Sequence, residues 1–182
     1  MNLEPCRSIN ALLVAIFLLS VVAILLLANQ NHKISEIIQY ESPVKIGEKA
    51  YIFEAMSLQN EPVNIKQANA LLYFFRLDCD ACKEAFPTMI KNYYALKRVD
   101  IQLVGIAADN KMALLKFIQQ NQIEFPIIAD PKQKIFAKYR VHFVPLVVLV
   151  DKTQKIYFYQ NPHQSIEDVL SELSQYVAGS QN

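Results

Sequence analysis

Leu71-Leu72-Tyr73-Phe74-Phe75-Arg76-Leu77-Asp78-Cys79-Asp80-Ala81-Cys82-Lys83-Glu84-Ala85-Phe86-Pro87 is the stretch from which the rest of the chain is read. Its first five residues are apolar or aromatic without a break, the pattern of a buried strand. From Cys82 to Lys97, Phe86, Ile90, Tyr93 and Leu96 recur at helical spacing. A Cys-x-x-Cys pair therefore lies where a strand ends and a helix begins. The two-residue gap lets the sulfurs reach bonding distance, and the unpaired amide groups and dipole of a helix start stabilise a thiolate on the first cysteine. This makes Cys79 the nucleophile and Cys82 the resolving thiol. The same pair could form half of a zinc site. Four ligands are needed, however, and beyond the apolar run at residues 11–28 and its flank there is no second Cys-x-x-Cys and only His142 and His163.

Outward from this stretch the alternation continues. Ile101 to Ala108 repeats the strand signal, Asp109 or Asn110 can cap, and Met112 to Gln120 returns to helical spacing. Phe125 to Ala129 is a short strand, and Asp130-Pro131 predicts an N-cap and first position for a short helix through Tyr139. Leu146 to Val150 is wholly apolar, as a strand covered on both faces should be, and pairs with Lys155 to Tyr159 across the turn Asp151–Gln154. Ser165 and Asp168 in capping-box spacing open a last helix with Ile166, Val169, Leu170, Leu173 and Val177 on one face. Before the core stretch, Val44–Gly47 and Lys49–Phe53 read as short extended pieces, and Asn60-Glu61-Pro62 as a turn. Strands alternating with helices and closing on a hairpin give an α/β sandwich with a mixed sheet. Tyr73, Phe74, Phe75, Phe86, Tyr93 and Phe117 are its expected aromatic core, and Tyr157–Tyr159 a strand with one wet face.

Of the 182 residues, Ala11 to Ala28 are apolar but for Ser20, and Glu4 and Arg7 alone of the charged side chains precede this run. Ile9 to Ala28 as a helix is about 30 Å long, the thickness of a bilayer core. Its exit, Leu26-Leu27-Ala28-Asn29-Gln30, is a poor cleavage site, so a retained anchor is expected over a cleaved signal. Cys6 stands apart from the end of the run and is incidental. The 149 residues after Lys33 carry 16 basic and 16 acidic side chains. That balance gives no reason to expect a nucleic-acid partner, which needs a basic excess. Three cysteines are too few to staple a scaffold, which leaves chemistry as their role.

With the strand before it, the helix behind it and Val144-Pro145 ahead of a buried strand, the region from Pro43 to Val177 resembles the thioredoxin superfamily. Within it the chain looks most like the membrane-anchored TlpA/ResA/DsbE-like thiol-disulfide oxidoreductases. The carriers are Val44–Ile65, Leu71–Pro87, Val104-Gly105-Ile106-Ala107, Phe125–Asp130 and Val144–Asp151. The resemblance implies a thioredoxin-like fold, a central mixed sheet flanked by helices, behind one amino-terminal transmembrane helix. It divides the chain into a cytoplasmic amino terminus (1–8), an anchor (9–28), a linker (29–42), in which Ile34, Ile37 and Ile38 recur at helical spacing, a thioredoxin-like domain (43–177) and a tail (178–182). It implies that Pro145 is cis and packs beside the sulfurs, that the Val144 backbone hydrogen bonds a substrate chain, and that Pro87 bends the active-site helix. The implied setting is a bacterial inner membrane with the catalytic domain on the periplasmic or extracytoplasmic side. Disulfide-bearing exported proteins are the implied substrates, apocytochrome c among those of the family. A membrane electron-donor protein re-reduces the enzyme, and no cofactor is needed.

Several positions depart from the family pattern. Asp78 precedes Cys79 where tryptophan is usual, Tyr73 stands where thioredoxins keep a buried acid, Ala85 replaces a frequent glutamate beside Glu84, and Leu146 replaces a frequent threonine. Asp78 and Asp80 oppose ionisation of Cys79, whereas the helix terminus and Lys83 favour it; Ala81 completes the set of active-site neighbours. A raised thiol pKa favours the disulfide and makes the reduced enzyme the stronger reductant, which points to a reductase. A peroxidase of related fold would need Thr or Ser three residues before its cysteine, where this chain has Arg76. The rival reading is a copper-handling protein with Cys79, Cys82 and His142 as soft ligands, for which the two-residue cysteine spacing is short. His163, in the turn 161–163, is expected to be solvated.

Overall fold

The computed structural model describes residues 13–27, 44–160 and 163–179, and the chain divides into two units, Met1–Ser42 and Pro43–Asn182. In the first unit residues 13–27 form a helix, α1, with all of its side chains exposed. Among the described residues no helix is long and apolar enough to cross a membrane. The expected span 9–28 reaches beyond the described residues at both ends, and the linker 29–42 lies outside them.

The second unit is built on a five-stranded sheet. Its strands are β3 (Asn69–Phe75), β4 (Ile101–Ala107), β5 (Ile127–Ala129), β6 (Leu146–Val150) and β7 (Ile156–Tyr159), in the order β5-β4-β3-β6-β7. β3, β4 and β5 run parallel, while β6 is antiparallel to both β3 and β7. The apolar runs follow from this: β3 and β6 are central, and every residue of β6 is buried. On one face Leu71, Tyr73, Phe75, Leu103, Val147 and Leu149 meet α2 (Asp80–Arg98), α3 (Lys111–Asn121) and α5 (Ile166–Gly179). On the other, Ala70, Leu72, Phe74, Ile106 and Val148 meet Phe136 of α4 (Lys134–Lys138) and residues of the segment 44–65. Period-two alternation in strands with both faces covered explains why residues 70–75 of β3, 103–107 of β4 and all of β6 are apolar without a break.

Gly105 marks the tightest place on the first face. A Cβ there would stand 3.0 Å from Ile127 Cγ1 and 3.2 Å from ring atoms of both Phe125 and Phe75. Those rings join Tyr73, Phe86 and Phe117 in one aromatic cluster, with Phe75 and Phe86 edge to face at 4.8 Å between centroids. Burying such faces is the main stabilising term of a domain this size.

Three local expectations are corrected. The extended pieces read at 44–47 and 49–53 form no strand beyond an isolated Lys49–Lys155 bridge, and regular pairing begins at β1 (Glu54–Met56), hairpinned to β2 (Pro62–Asn64). The preceding segment instead runs along the end of β7: Gly47 N donates to Ile156 O, Ile156 N to Glu48 O, and Ala50 N to Gln154 O, without forming a ladder. The short helix expected from Pro131 starts at Lys134, because Pro131 and Lys132 are taken into a turn closed by Gln133 N on Asp130 O at 2.8 Å. Asp130 still caps it from a distance, its carboxylate accepting from the amides of Lys134, Ile135 and Phe136 at 2.7–3.0 Å. The last helix extends to Gly179, two residues into the expected tail.

Candidate active site

Sheet register determines which loops meet. Phe75 pairs with Ala107 in the parallel direction and Phe74 with Leu146 in the antiparallel one. The segments following β3 and β4 and the segment preceding β6 therefore gather at one end of the sheet. Residues 76–82, 108–110 and 143–145 are thus neighbours although far apart in sequence.

Cys79 is the N-cap of α2 in extended backbone, and its sulfur accepts from Cys82 N at 3.1 Å. The cap position is the one occupied by a small polar acceptor in most helices, so a sulfur placed there receives the unpaired amides of the first turn. Cys79 and Cys82 are joined as a disulfide, with Cα atoms 5.2 Å apart. Cys82 is fully buried in the aromatic face of the sheet, whereas Cys79 is half-buried, so Cys79 presents the accessible sulfur. Opposite it, the Val144 carbonyl oxygen lies 3.6 Å from Cys79 Sγ, and the Val144–Pro145 peptide is cis. Pro87 lies inside α2 and leaves the carbonyl of Lys83 without its helical donor.

Both carboxylates that flank Cys79 are paired. Arg76 forks onto Asp78, Nε to Oδ1 at 2.9 Å and a terminal nitrogen to Oδ2 at 2.6 Å. Lys83 Nζ binds Asp80 Oδ1 at 2.8 Å, and this hydrogen bond and the ammonium charge hold the Asp80 carboxyl below its ordinary range. The opposition of charges expected from the sequence is thus largely settled within each pair before it reaches the sulfur. Asp109 does not cap α3, where Asn110 takes that role. Its carboxylate instead accepts from Leu77 N at 3.0 Å and ties the cysteine loop to the end of β4.

Tyr73, at the position of the family's buried acid, is fully buried and donates its hydroxyl to the Cys82 carbonyl at 3.2 Å. Burial pushes its phenol far above the ordinary tyrosine range, so it acts as a neutral donor. Ala85 is buried, Glu84 is exposed beside it, and Ala81 faces a groove next to the disulfide. Among the described residues no three His, Cys, Asp or Glu side chains are grouped to hold a metal ion, so exposed His142 is not brought to Cys79 and Cys82 as a ligand. Arg76 and Asp109 were legible only as a motif position and a helix cap; Arg76 stands two residues from Asp78, a spacing that could have suggested the fork. The groove residues Phe143, Gln160 and Glu167 carried no signal, and Ile166 was legible only as a position on the apolar face of the last helix, since only the fold assembles them.

Known proteins match this geometry. A family model described as the AhpC/TSA family matches residues 46–159. Thiol-disulfide oxidoreductase ResA of Bacillus thuringiensis (strain Al Hakam) is 27% identical over 117 residues, covering 62% of this chain and 68% of its own. A secreted Mycobacterium tuberculosis disulfide oxidoreductase, described as homologous to E. coli DsbE, superposes with a TM-score of 0.57 at 25% identity, over 70% of this chain and 95% of that one. The thioredoxin domain of a thiol-disulfide oxidoreductase from Bacteroides vulgatus gives a TM-score of 0.64 at 19% identity, over 74% of this chain and 99% of that one. The fold is thioredoxin-like, a central mixed sheet with flanking helices.

Proposed function

The chain belongs to the AhpC/TSA family, and we propose that it is a thiol-disulfide oxidoreductase of the ResA/DsbE type that reduces disulfides of exported proteins. The observation that carries this is the Cys79–Cys82 disulfide at the cap of α2, with its accessible sulfur facing the Val144 carbonyl. In the reduced form Cys79 thiolate attacks one sulfur of a substrate disulfide and expels the other as a thiolate. Cys82 thiolate then attacks Cys79 Sγ, breaks the mixed disulfide and releases the second substrate thiol. The substrate gains two electrons and the enzyme is left in the disulfide state seen here. The Val144 backbone, two residues before β6, offers strand-like hydrogen bonds to an extended substrate segment. Buried Cys82 cannot be approached by a second large molecule, which favours the intramolecular step over release of an unresolved adduct.

In this reading residues 9–28 anchor the chain in the bacterial inner membrane with the catalytic unit on the extracytoplasmic side. A helix over residues 13–27 whose side chains are exposed and, but for Ser20, apolar supports it. A membrane electron-donor protein returns electrons to Cys79–Cys82, and anchoring both proteins in one bilayer raises their effective concentration. Apocytochrome c is the substrate to test first. Cys82→Ala expressed in the native membrane is expected to accumulate mixed disulfides through Cys79, and the trapped partners identify the substrates. No adduct under mildly oxidising conditions would refute the enzymatic reading. Labelling of reduced Cys79 by a membrane-impermeant thiol reagent in intact cells tests the orientation, and protection from it would overturn the extracytoplasmic placement.

A further inference from the structure

Beside the disulfide lies a groove of about 540 Å³, floored by Ala81, Ala85, Phe143, Val144, Pro145 and Ile166. It runs from Ala81, in the loop between the two cysteines in sequence, and from Val144 to the first turn of α5, so a side chain of a substrate segment held at Val144 can lie along it. The polar lining is one-sided. Glu84 and Glu167 contribute two carboxylates, and among the described residues no lysine, arginine or histidine lines the groove. The amide of Gln160 is already committed, Oε1 accepting from Val147 N at 2.8 Å and Nε2 donating to Gln164 O at 2.9 Å. Arg76 pairs with Asp78, Lys83 with Asp80 and Arg140 with Glu48, so these three cations are directed to other carboxylates. Thr88, one helical turn beyond Glu84, donates to Glu167 Oε1 at 2.8 Å and fixes that carboxylate at the junction of α2 and α5. That hydrogen bond also holds the Glu167 carboxyl below its ordinary range, so it carries its charge.

The geometry points to a substrate class: the groove selects disulfides flanked by lysine or arginine, whose stem lies on the apolar floor and whose cation meets Glu84 and Glu167. This rests on the reductase reading and specifies which disulfides it takes. A long basic side chain suits the site because its methylenes cover apolar surface while its head stays at the rim. The reaction read out is balanced by the protein's own dithiol: the Cys79–Cys82 disulfide forms as the substrate disulfide opens to two thiols.

The test uses the reduced full-length chain in detergent and three disulfide-closed peptides identical but for Lys, Gln or Glu beside one cysteine. Single-turnover rates are expected to fall in that order, with Lys over Glu by about three- to tenfold at low salt, the scale of two partly exposed ion pairs. The ratio should shrink in high salt. Glu84→Gln/Glu167→Gln should bring it close to one, and Glu84→Lys/Glu167→Lys should invert it, an outcome that loss of folding cannot mimic. Equal rates for the three peptides, or a Lys preference that survives charge reversal, overturns the inference while leaving the reductase reading in place. Failure of the Gln peptide to be reduced at all overturns that reading and this inference with it.

Discussion

Asp130→Ala removes a carboxylate that lies buried and accepts three backbone amides at the start of α4, those of Lys134, Ile135 and Phe136. Loss of a cap costs about 0.5–2 kcal/mol. The Phe136 amide is buried and loses its acceptor outright, which adds about 1–3 kcal/mol. The expected total is about 1.5–5 kcal/mol, a fall in thermal midpoint of roughly 5–20 °C for a unit of this size. The consequence should reach the active site. Phe136 and Tyr139 pack on Phe74 of β3, Tyr139 donates to Tyr51 O at 2.8 Å, and the segment after Tyr139 leads directly to Val144 and Pro145. Loosening α4 should therefore lower the disulfide exchange rate as well as the stability. Urea unfolding followed by circular dichroism measures the first, and turnover of a model disulfide peptide the second. Asp130→Asn keeps one acceptor oxygen and should lose about half as much. A loss under about 0.5 kcal/mol for the alanine variant would refute the view that this carboxylate holds α4 and the loop behind it.

Other consequences are as direct. Gly105→Ala should destabilise by about 1–3 kcal/mol in denaturant titration, since its methyl would press on Ile127, Phe125 and Phe75 together; unchanged stability would mean that β4 can shift to make room. Arg76→Gln should slow alkylation of reduced Cys79 near neutral pH by leaving the Asp78 charge unpaired beside it, and adding Asp78→Asn should restore the rate. The effect should fade in high salt, and a double variant as slow as the single one would show that Arg76 acts otherwise. Burial works to raise the Asp151 carboxyl, but hydrogen bonds from Thr153 and Lys155 prevail and hold it below its ordinary value. A lowered folded-state pKa gives stability that is full above the unfolded value of about 3.9 and is lost as pH falls through the folded one. Asp151→Asn should thus cost stability at pH 6 and flatten its decline towards pH 3; an equal cost at both pH values would argue against the linkage.

The parts of this molecule that the sequence made legible are those fixed by local pattern. Leu146–Val150 had to be a central strand because no other element takes five apolar residues in succession between turns, and Ser165 with Asp168 marks the start of α5 to the residue. The pairing of Cys79 and Cys82 at a helix start was legible because a two-residue gap between strand and helix brings the sulfurs within bonding distance. Misreadings arose where two local signals compete. Asp130-Pro131 suits a helix start and a turn equally, and the closure by Gln133 N decides for the turn. Lys49–Phe53 has strand composition but meets its neighbour through scattered backbone bonds. The groove was invisible for another reason: Glu84, Phe143 and Glu167 become neighbours only through the register of β3 with β6 and the Thr88–Glu167 contact.

Tyr73 sets the electrochemistry of the site. Its phenol stays protonated through the neutral range, and the buried cluster that Cys82 shares with Phe75, Ala85, Phe86 and Met89 is apolar. The wall behind that sulfur can therefore neither store nor surrender a proton when electrons arrive. Two electrons entering the disulfide must draw both protons from the aqueous side. The midpoint potential should then descend as a straight line of about 59 mV per pH unit, a hundredfold change in the two-electron equilibrium, until a thiol ionises. A buried carboxylate would bend that line near its own pKa. Here the driving force for reduction tracks the acidity of the surrounding compartment, and the buried cluster around Cys82 holds no buffer against it.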